Sequence, residues 1–254
     1  MFPEPRYPRN ALADGFSPCD LAKLNVAYIR GYRIAYWAAQ VLQAIIALPS
    51  YLREQAWMLG HNGALAPAFY LGPYSFERLK LARTILDFAV IVFQKGWVSY
   101  SNVYKPIEFR YVPTGKSPCK GETGATHGPL GLVKICSGKL QDTSITSLGR
   151  TIMHEFMHWG WPGVGDQKTK EGKKAYENLA WVYAIQFPSK AIYNIDCYTM
   201  WASDWFDQSE KVCRIIPDMD AQACSFEEGK GECCTYYSYS MKSPPGWKVL
   251  KKCS

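Results

Sequence analysis

Five consecutive residues, His154-Glu155-Phe156-Met157-His158, bring together the side chains that metal-assisted hydrolysis requires. On a helix, positions four apart share a face, so both imidazoles point the same way and can grip one zinc ion, Zn2+. Glu155 lies beside them, where a carboxylate can take a proton from a zinc-activated water. The context fits a helix: Leu148, Ile152, Phe156 and Trp159 recur three or four apart as a core-facing stripe, and no proline interrupts it. A purely structural zinc site is usually closed by four Cys and His ligands and would leave Glu155 without a task.

A catalytic zinc takes three protein ligands and keeps one position open. The extended three-histidine pattern would need Gly three residues and His six residues after His158. Those places hold Trp161 and Val164, which excludes it. Two carboxylates remain. Glu177 lies in a segment, residues 175–185, whose composition predicts a helix. Asp166 follows a tight turn, Pro162-Gly163-Val164-Gly165, that can bring the chain back under the metal.

The elements that must position these residues are mostly helical. Helical spacing runs through residues 19–60 (Leu21, Leu24, Tyr28, then Ile34, Trp37, Val41, Ile45), with breaks expected at Gly31 and Pro49. A second helical block spans 76–94. Residues 97–101 and 108–112 alternate as strands do, and Leu132–Cys136 reads as a short strand, joined by about ten residues of Ser/Thr-rich loop to the histidine helix. That order suits a zincin-like core in which an edge strand holds substrate backbone by strand addition. The expected fold is α+β and mainly helical: a zincin-like metalloprotease domain over 19–210 with a small sheet and the His-Glu helix. It is preceded by an extended arm, 1–18, and followed by a cysteine-rich, disulfide-stapled tail of little periodicity, 211–254.

Composition narrows the setting. A length of 254 residues with 48% hydrophobic and 20% charged residues can bury a sizeable core. The net charge of +7 is spread out apart from Lys168, Lys170, Lys173 and Lys174 and a C-terminal group, and no nucleic-acid motif accompanies it. The run reads as a solvated face, so nucleic acid is not an expected partner. Nine cysteines without a Cys-x-x-Cys pair indicate disulfides in an oxidising compartment, hence a secreted protein; the odd number leaves at least one thiol over. The charged, proline-rich N-terminus has no apolar signal segment, so export would rely on a segment outside this sequence or on another route. The longest apolar stretch, Ala35 to Leu48, is too short and too polar to span a membrane.

The region resembles the aspzincins, the family of deuterolysin and peptidyl-Lys metalloendopeptidase, whose second zinc motif is Gly-Thr-x-Asp-x-x-Tyr-Gly followed by an Asn-Ala-Asp-Ser-Tyr motif. Gly163-Val164-Gly165-Asp166 looks like the first half of the former. Tyr176 looks like its tyrosine, displaced by a seven-residue insertion, 167–173. Asn194-Ile195-Asp196-Cys197-Tyr198 is similar to the latter. Val164 replaces the motif threonine and Glu177 the motif glycine. The resemblance covers roughly 119–203 and implies Asp166 as the third zinc ligand. It also implies Tyr176 as a catalytic residue hydrogen-bonding the developing oxyanion, and Asp196 as a substrate-pocket carboxylate or one that orients a zinc-bound histidine. The implied activity is that of a monomeric zinc endopeptidase acting on protein or peptide substrates, in some members with lysine after the cleaved bond. The alternative is a secreted binding or effector protein on the same scaffold with little catalytic activity.

Overall fold

Apolar residues at helical spacing make Pro18–Ala47 one continuous helix, α1, with Leu24, Tyr28, Ile34, Leu42 and Ile45 fully buried. This is a computed structural model. It describes residues 13–59, 66–100, 103–113, 115–119, 125–127, 130–142, 144–177, 179–209, 215–217, 223–230, 233–240 and 246–251. Most of the expected N-terminal arm, His61 and much of the tail lie outside these. The expected break at Gly31 does not occur. A glycine inside a helix costs about 1 kcal/mol against alanine, yet here it meets Gly149: a Cβ on Gly149 would lie 2.7 Å from the Gly31 nitrogen and 2.7 Å from the Ala27 carbonyl oxygen. The glycine pair lets two backbones touch.

The chain continues through α2 (Ser50–Leu59), α3 (Pro67–Leu71) and α4 (Phe76–Lys95). Strands β2 (Trp97–Tyr100), β3 (Val103–Pro106), β4 (Glu108–Val112), β5 (Ala125–His127) and β6 (Leu132–Cys136) follow. Then come α5 (Ser137–Asp142), α6 (Ile145–Met157), α7 (Leu179–Gln186), a 3₁₀ turn (Ala191–Tyr193) and α8 (Ile195–Ser209). The fold is thus α+β and mainly helical. A two-residue strand β1 (Ala13–Asp14) completes a sheet of order β1-β4-β6-β5, with β4 parallel to β6 in the register Phe109↔Val133 and Tyr111↔Ile135. Strand 132–136 is therefore an inner strand; β5, antiparallel to it, forms the edge. The expected loop between β6 and the histidine helix contains α5.

Two compact units emerge. The first comprises the described residues of Met1–Gly31, Gly96–Ile152 and Asp207–Ser254; the second, Tyr32–Lys95 and Met153–Phe206. In the first, Phe109, Val133 and Ile135 form the buried side of the sheet, and Tyr28 meets Phe109 edge-on with ring centres 6.2 Å apart. A disulfide joins Cys119 to Cys136 beside Val112. The tail, read from sequence as aperiodic, contains an antiparallel sheet of β7 (Ile215–Pro217), β8 (Ala223–Lys230), β9 (Cys233–Ser240) and β10 (Gly246–Lys251), in the order β10-β9-β8-β7.

The second unit is helical. Phe93 of α4 packs on Phe156 of α6 with ring centres 4.7 Å apart, and Gly160 abuts the Phe88 ring so closely that a Cβ would lie 2.4 Å from it. Arg78 ties the start of α4 to the loop before the 3₁₀ turn, donating to the carbonyls of Pro188 and Ser189. Trp57 donates its indole N–H to the Gly72 carbonyl at 2.8 Å. Among the described residues, no helix is long and apolar enough to cross a membrane.

Gly149→Ala separates two opposed effects. Alanine improves helix propensity by about 1 kcal/mol, but its methyl would press on backbone atoms that cannot rotate away, an overpacking cost of about 1–3 kcal/mol or more. Urea unfolding is expected to show net destabilisation.

Candidate metal centre

Helix α6 delivers the two histidines. Ser144 caps it, its Oγ accepting the Ser147 N–H at 3.1 Å, and Leu148, Ile152, Met153 and Phe156 are buried along it. The last turn tightens, with the Trp159 N–H on the Phe156 carbonyl and the Gly160 N–H on that of Met157. His158 therefore sits in the turn just past the last helical residue, still one turn from His154. Their Nε2 atoms are 3.2 Å apart. Glu155, only 4% exposed, points into the protein from the same turn.

Two devices return the chain to the histidines. Pro162 and Gly163 (φ +88°), with the Val164 N–H on the Trp161 carbonyl at 3.1 Å, have the signature of a type II turn. Gly165 then pairs with Asn194, its N–H on the Tyr193 carbonyl and its own carbonyl accepting from Ile195. Asp166 follows. Its Oδ1 lies 3.2 Å from His154 Nε2 and 3.4 Å from His158 Nε2.

The segment between Asp166 and Tyr176 folds as a hairpin. The Thr169 N–H binds the Lys173 carbonyl, the Ala175 N–H binds the Gln167 carbonyl, and Lys168 bridges Lys174 in antiparallel register. Gln186 of α7 holds the tip through the Lys170 N–H and the Glu171 carboxylate. Carried one pair further, the same register sets Asp166 opposite Tyr176. The Tyr176 hydroxyl indeed donates to Asp166 Oδ2. Ten residues of sequence thus become one cross-strand pair.

The start of α8 closes the arrangement. Asn194, fully buried, donates from Nδ2 to the Ala175 carbonyl at 3.2 Å. Asp196 Oδ2 approaches His154 Nδ1 at 3.1 Å, while its Oδ1 accepts the Glu177 N–H at 3.2 Å. Asp196 is 7% exposed in its side chain, so it serves the histidine from inside the protein. Cys197 is the free thiol among the described residues; burial pushes its pKa up to about 12, so it stays protonated beside Asn194 and the Ala180 carbonyl.

Glu177 differs from its expected setting. Helix α7 begins at Leu179, not at residue 175. Ala175 is held by the hairpin ladder, and Glu177 has φ +46° in the turn before the helix. It is exposed and gives Asp196 its backbone N–H. Lys174 escaped the sequence reading as part of a charge run. Its Nζ donates to the Tyr176 hydroxyl at 2.9 Å. The available signal was its i, i+2 relation to Tyr176 on an extended segment, which puts both on one face.

His154, His158 and Asp166 form the one group of three or more His, Cys, Asp or Glu, among the described residues, with ligand atoms mutually within 4.8 Å. An ion held at about 2.0–2.2 Å by corners of a tetrahedron sets those corners about 3.3–3.6 Å apart. The observed edges of 3.2, 3.2 and 3.4 Å lie at or just below the short end of that range, and two imidazoles with one carboxylate are a zinc donor set. The residues fit the metal.

Without metal the same groups share protons. Burial disfavours charge on His154, but Asp196 beside it, with contacts to Asp166 and Asp196, outweighs this and holds its pKa well above the ordinary value. Burial would raise the Asp166 carboxyl, yet its contacts to His154 and His158 keep it well below the usual carboxylate range. Burial, then the bond to Asp166, raises the Tyr176 phenol.

No protein-family model matches this chain, and no curated protein does. Among solved structures it is similar to a zinc peptidase from Grifola frondosa, at 16% identity and a TM-score of 0.49, over 74% of this chain and 97% of that one.

Two outcomes follow for the metal. Binding must expel the proton from His154, so zinc affinity is expected to rise with pH through neutrality, by about tenfold per unit while one proton is displaced. Asp166, already ionised, adds no dependence there. Competition with a chromophoric chelator measures this. The same assay is expected to show at least about a 100-fold loss in Asp166→Ala and little change in Glu177→Ala; the reverse would make Glu177 the ligand.

Proposed function

We propose that this protein is a zinc-dependent metalloendopeptidase, a divergent member of the aspzincin type. The triangle of His154 Nε2, His158 Nε2 and Asp166 Oδ1, with Glu155 on the same helical turn, carries the reading. His154, His158 and Asp166 would hold one zinc ion. Bound there, zinc would acidify water and polarise the scissile carbonyl.

The chain's own residues do the rest. Glu155 accepts the proton of the attacking water and passes it to the leaving amine. Its burial keeps bulk water from competing for that proton. Asp196 fixes the His154 ring through Nδ1, so that Nε2 faces His158 Nε2 and Asp166 Oδ1. Tyr176, whose ring stands edge-on to His154 with centres 5.8 Å apart, gives its one proton to Asp166; the oxyanion role that the family resemblance implies would draw that proton away from Asp166 as charge develops. Protein or peptide is the substrate, and the Cys119–Cys136 disulfide supports a secreted setting.

The test is purified protein with its zinc content measured, digesting a mixed peptide library before and after chelation. One zinc per chain and chelator-sensitive cleavage are expected. Glu155→Gln is expected to keep the metal and lose about 10²–10⁴-fold in kcat. Stoichiometric zinc with no cleavage would instead support the binding-protein reading.

A further inference from the structure

We infer that Lys174 is a positioning residue for the metal centre, acting through Tyr176 to keep Asp166 a one-oxygen ligand. The inference rests on the zinc-site reading above. A phenol has one proton and two acceptor lone pairs, whereas an ammonium only donates. Lys174 Nζ, 2.9 Å from the Tyr176 oxygen, therefore donates to it. The phenol must send its single proton elsewhere, and Asp166 Oδ2, an acceptor, receives it. The direction Lys174 to Tyr176 to Asp166 is thus set by the donor inventory alone. A charged donor at its head strengthens the chain, because charge-assisted bonds are the stronger class and linked bonds polarise one another.

The consequence falls on Asp166. With Oδ2 engaged by the phenol, Oδ1 is the oxygen left to face the two histidines, and it is the one at 3.2 and 3.4 Å from them. A carboxylate free to use both oxygens would fill the position that a catalytic zinc must keep open.

The hairpin explains how Lys174 comes to be there. In its register Tyr176 opposes Asp166, and Lys174, two residues before Tyr176 on the same face, lies diagonal to Asp166. Lys174 also stands opposite Lys168, a like-charge pair that by itself opposes pairing. The structure keeps that pair where one of its members reaches the site. Among the described residues Lys168 and Lys173 have no comparable bond, and Lys170 lies over the Phe187 ring, 5.9 Å from its centre.

The experiment measures zinc dissociation constants by chelator competition in the full chain, for wild type, Lys174→Met, Lys174→Gln, Lys174→Arg, Tyr176→Phe and the double variant Lys174→Met/Tyr176→Phe. Lys174 is exposed, so its variants are expected to keep the wild-type circular dichroism and melting temperature of the metal-free protein. Both neutral variants should weaken zinc binding about tenfold, the low end for residues that support a ligand. Lys174→Arg, which retains a charged donor, should stay near wild type. The double variant should bind no worse than Tyr176→Phe, because Lys174 acts only through that hydroxyl. Wild-type affinity in Lys174→Met and Lys174→Gln, or losses that multiply in the double variant, would overturn the inference. Either result beside chelator-sensitive cleavage by wild type leaves the peptidase reading standing. A wild-type chain that binds no zinc removes that reading itself.

Discussion

Three donor atoms a little over 3 Å apart demand a sharp reversal of the chain after His158, and the second unit is organised around that reversal. Helix α6 can bring two imidazoles together by itself, since its periodicity does so at no added cost. It cannot supply the carboxylate. Between His158 and Asp166 the backbone passes Gly160, where only a glycine fits against Phe88, then turns at Pro162-Gly163, where φ is positive. It is then caught by Asn194 at Gly165. Each step uses a residue chosen for backbone reasons. The chemistry of Asp166 depends on residues that carry none.

Asn194 is the hub of this arrangement. Its backbone bridges the segment that ends in Asp166, its side chain holds the carbonyl just before Tyr176, and two residues on Asp196 reaches His154. One buried amide thus relates three candidate site residues from three stretches of sequence. Its Nδ2 end is hydrogen-bonded, whereas its buried Oδ1 has no hydrogen-bond partner among the described residues, so holding this hub in place costs about 1–3 kcal/mol that the surrounding packing must offset. Around the histidines stand the carboxyl groups of Asp196, Asp166 and Glu155, and their combined field favours a proton on His154, whose pKa is held above the ordinary value. A divalent cation would answer the same field with twice the charge.

Local periodicity made much of this visible beforehand. The α6 stripe, the β4 and β6 strands and the turn before Asp166 are each decided by neighbours in sequence, and all are present. What was not visible depends on partners far along the chain. Gly31 looks like a helix break until Gly149 is brought against it. Residues 175–178 have helical composition, but Ala175 is taken by the hairpin ladder and Glu177 by a positive φ, so α7 starts late. Strand β5 is three residues long and β1 two, too short for any alternation to register. The tail's strands hide behind glycines, lysines and cysteines that carry no clean period-2 pattern. Lys174 looked like solvent-facing charge because its partner, the Tyr176 hydroxyl, is itself aimed by a hairpin that composition does not announce.

That hairpin shows how two residues far apart in sequence can be made to meet. Asp166 and Tyr176 are ten residues apart, yet they touch. Antiparallel pairing makes the outcome depend on register rather than length. Residues added symmetrically at the tip leave the Asp166–Tyr176 pair where it is, whereas a slip of one residue along either strand would turn one side chain to the opposite face. The tip is held accordingly: Thr169 is buried, Gly172 takes the positive φ of the turn, and Gln186 grips the Lys170 N–H and the Glu171 carboxylate. These contacts lie at the far end of the hairpin from the metal centre. Their physical effect is to prevent that one-residue slip, so the hairpin carries the means of its own registration. That is why ten residues of separation still deliver a phenol to the carboxylate.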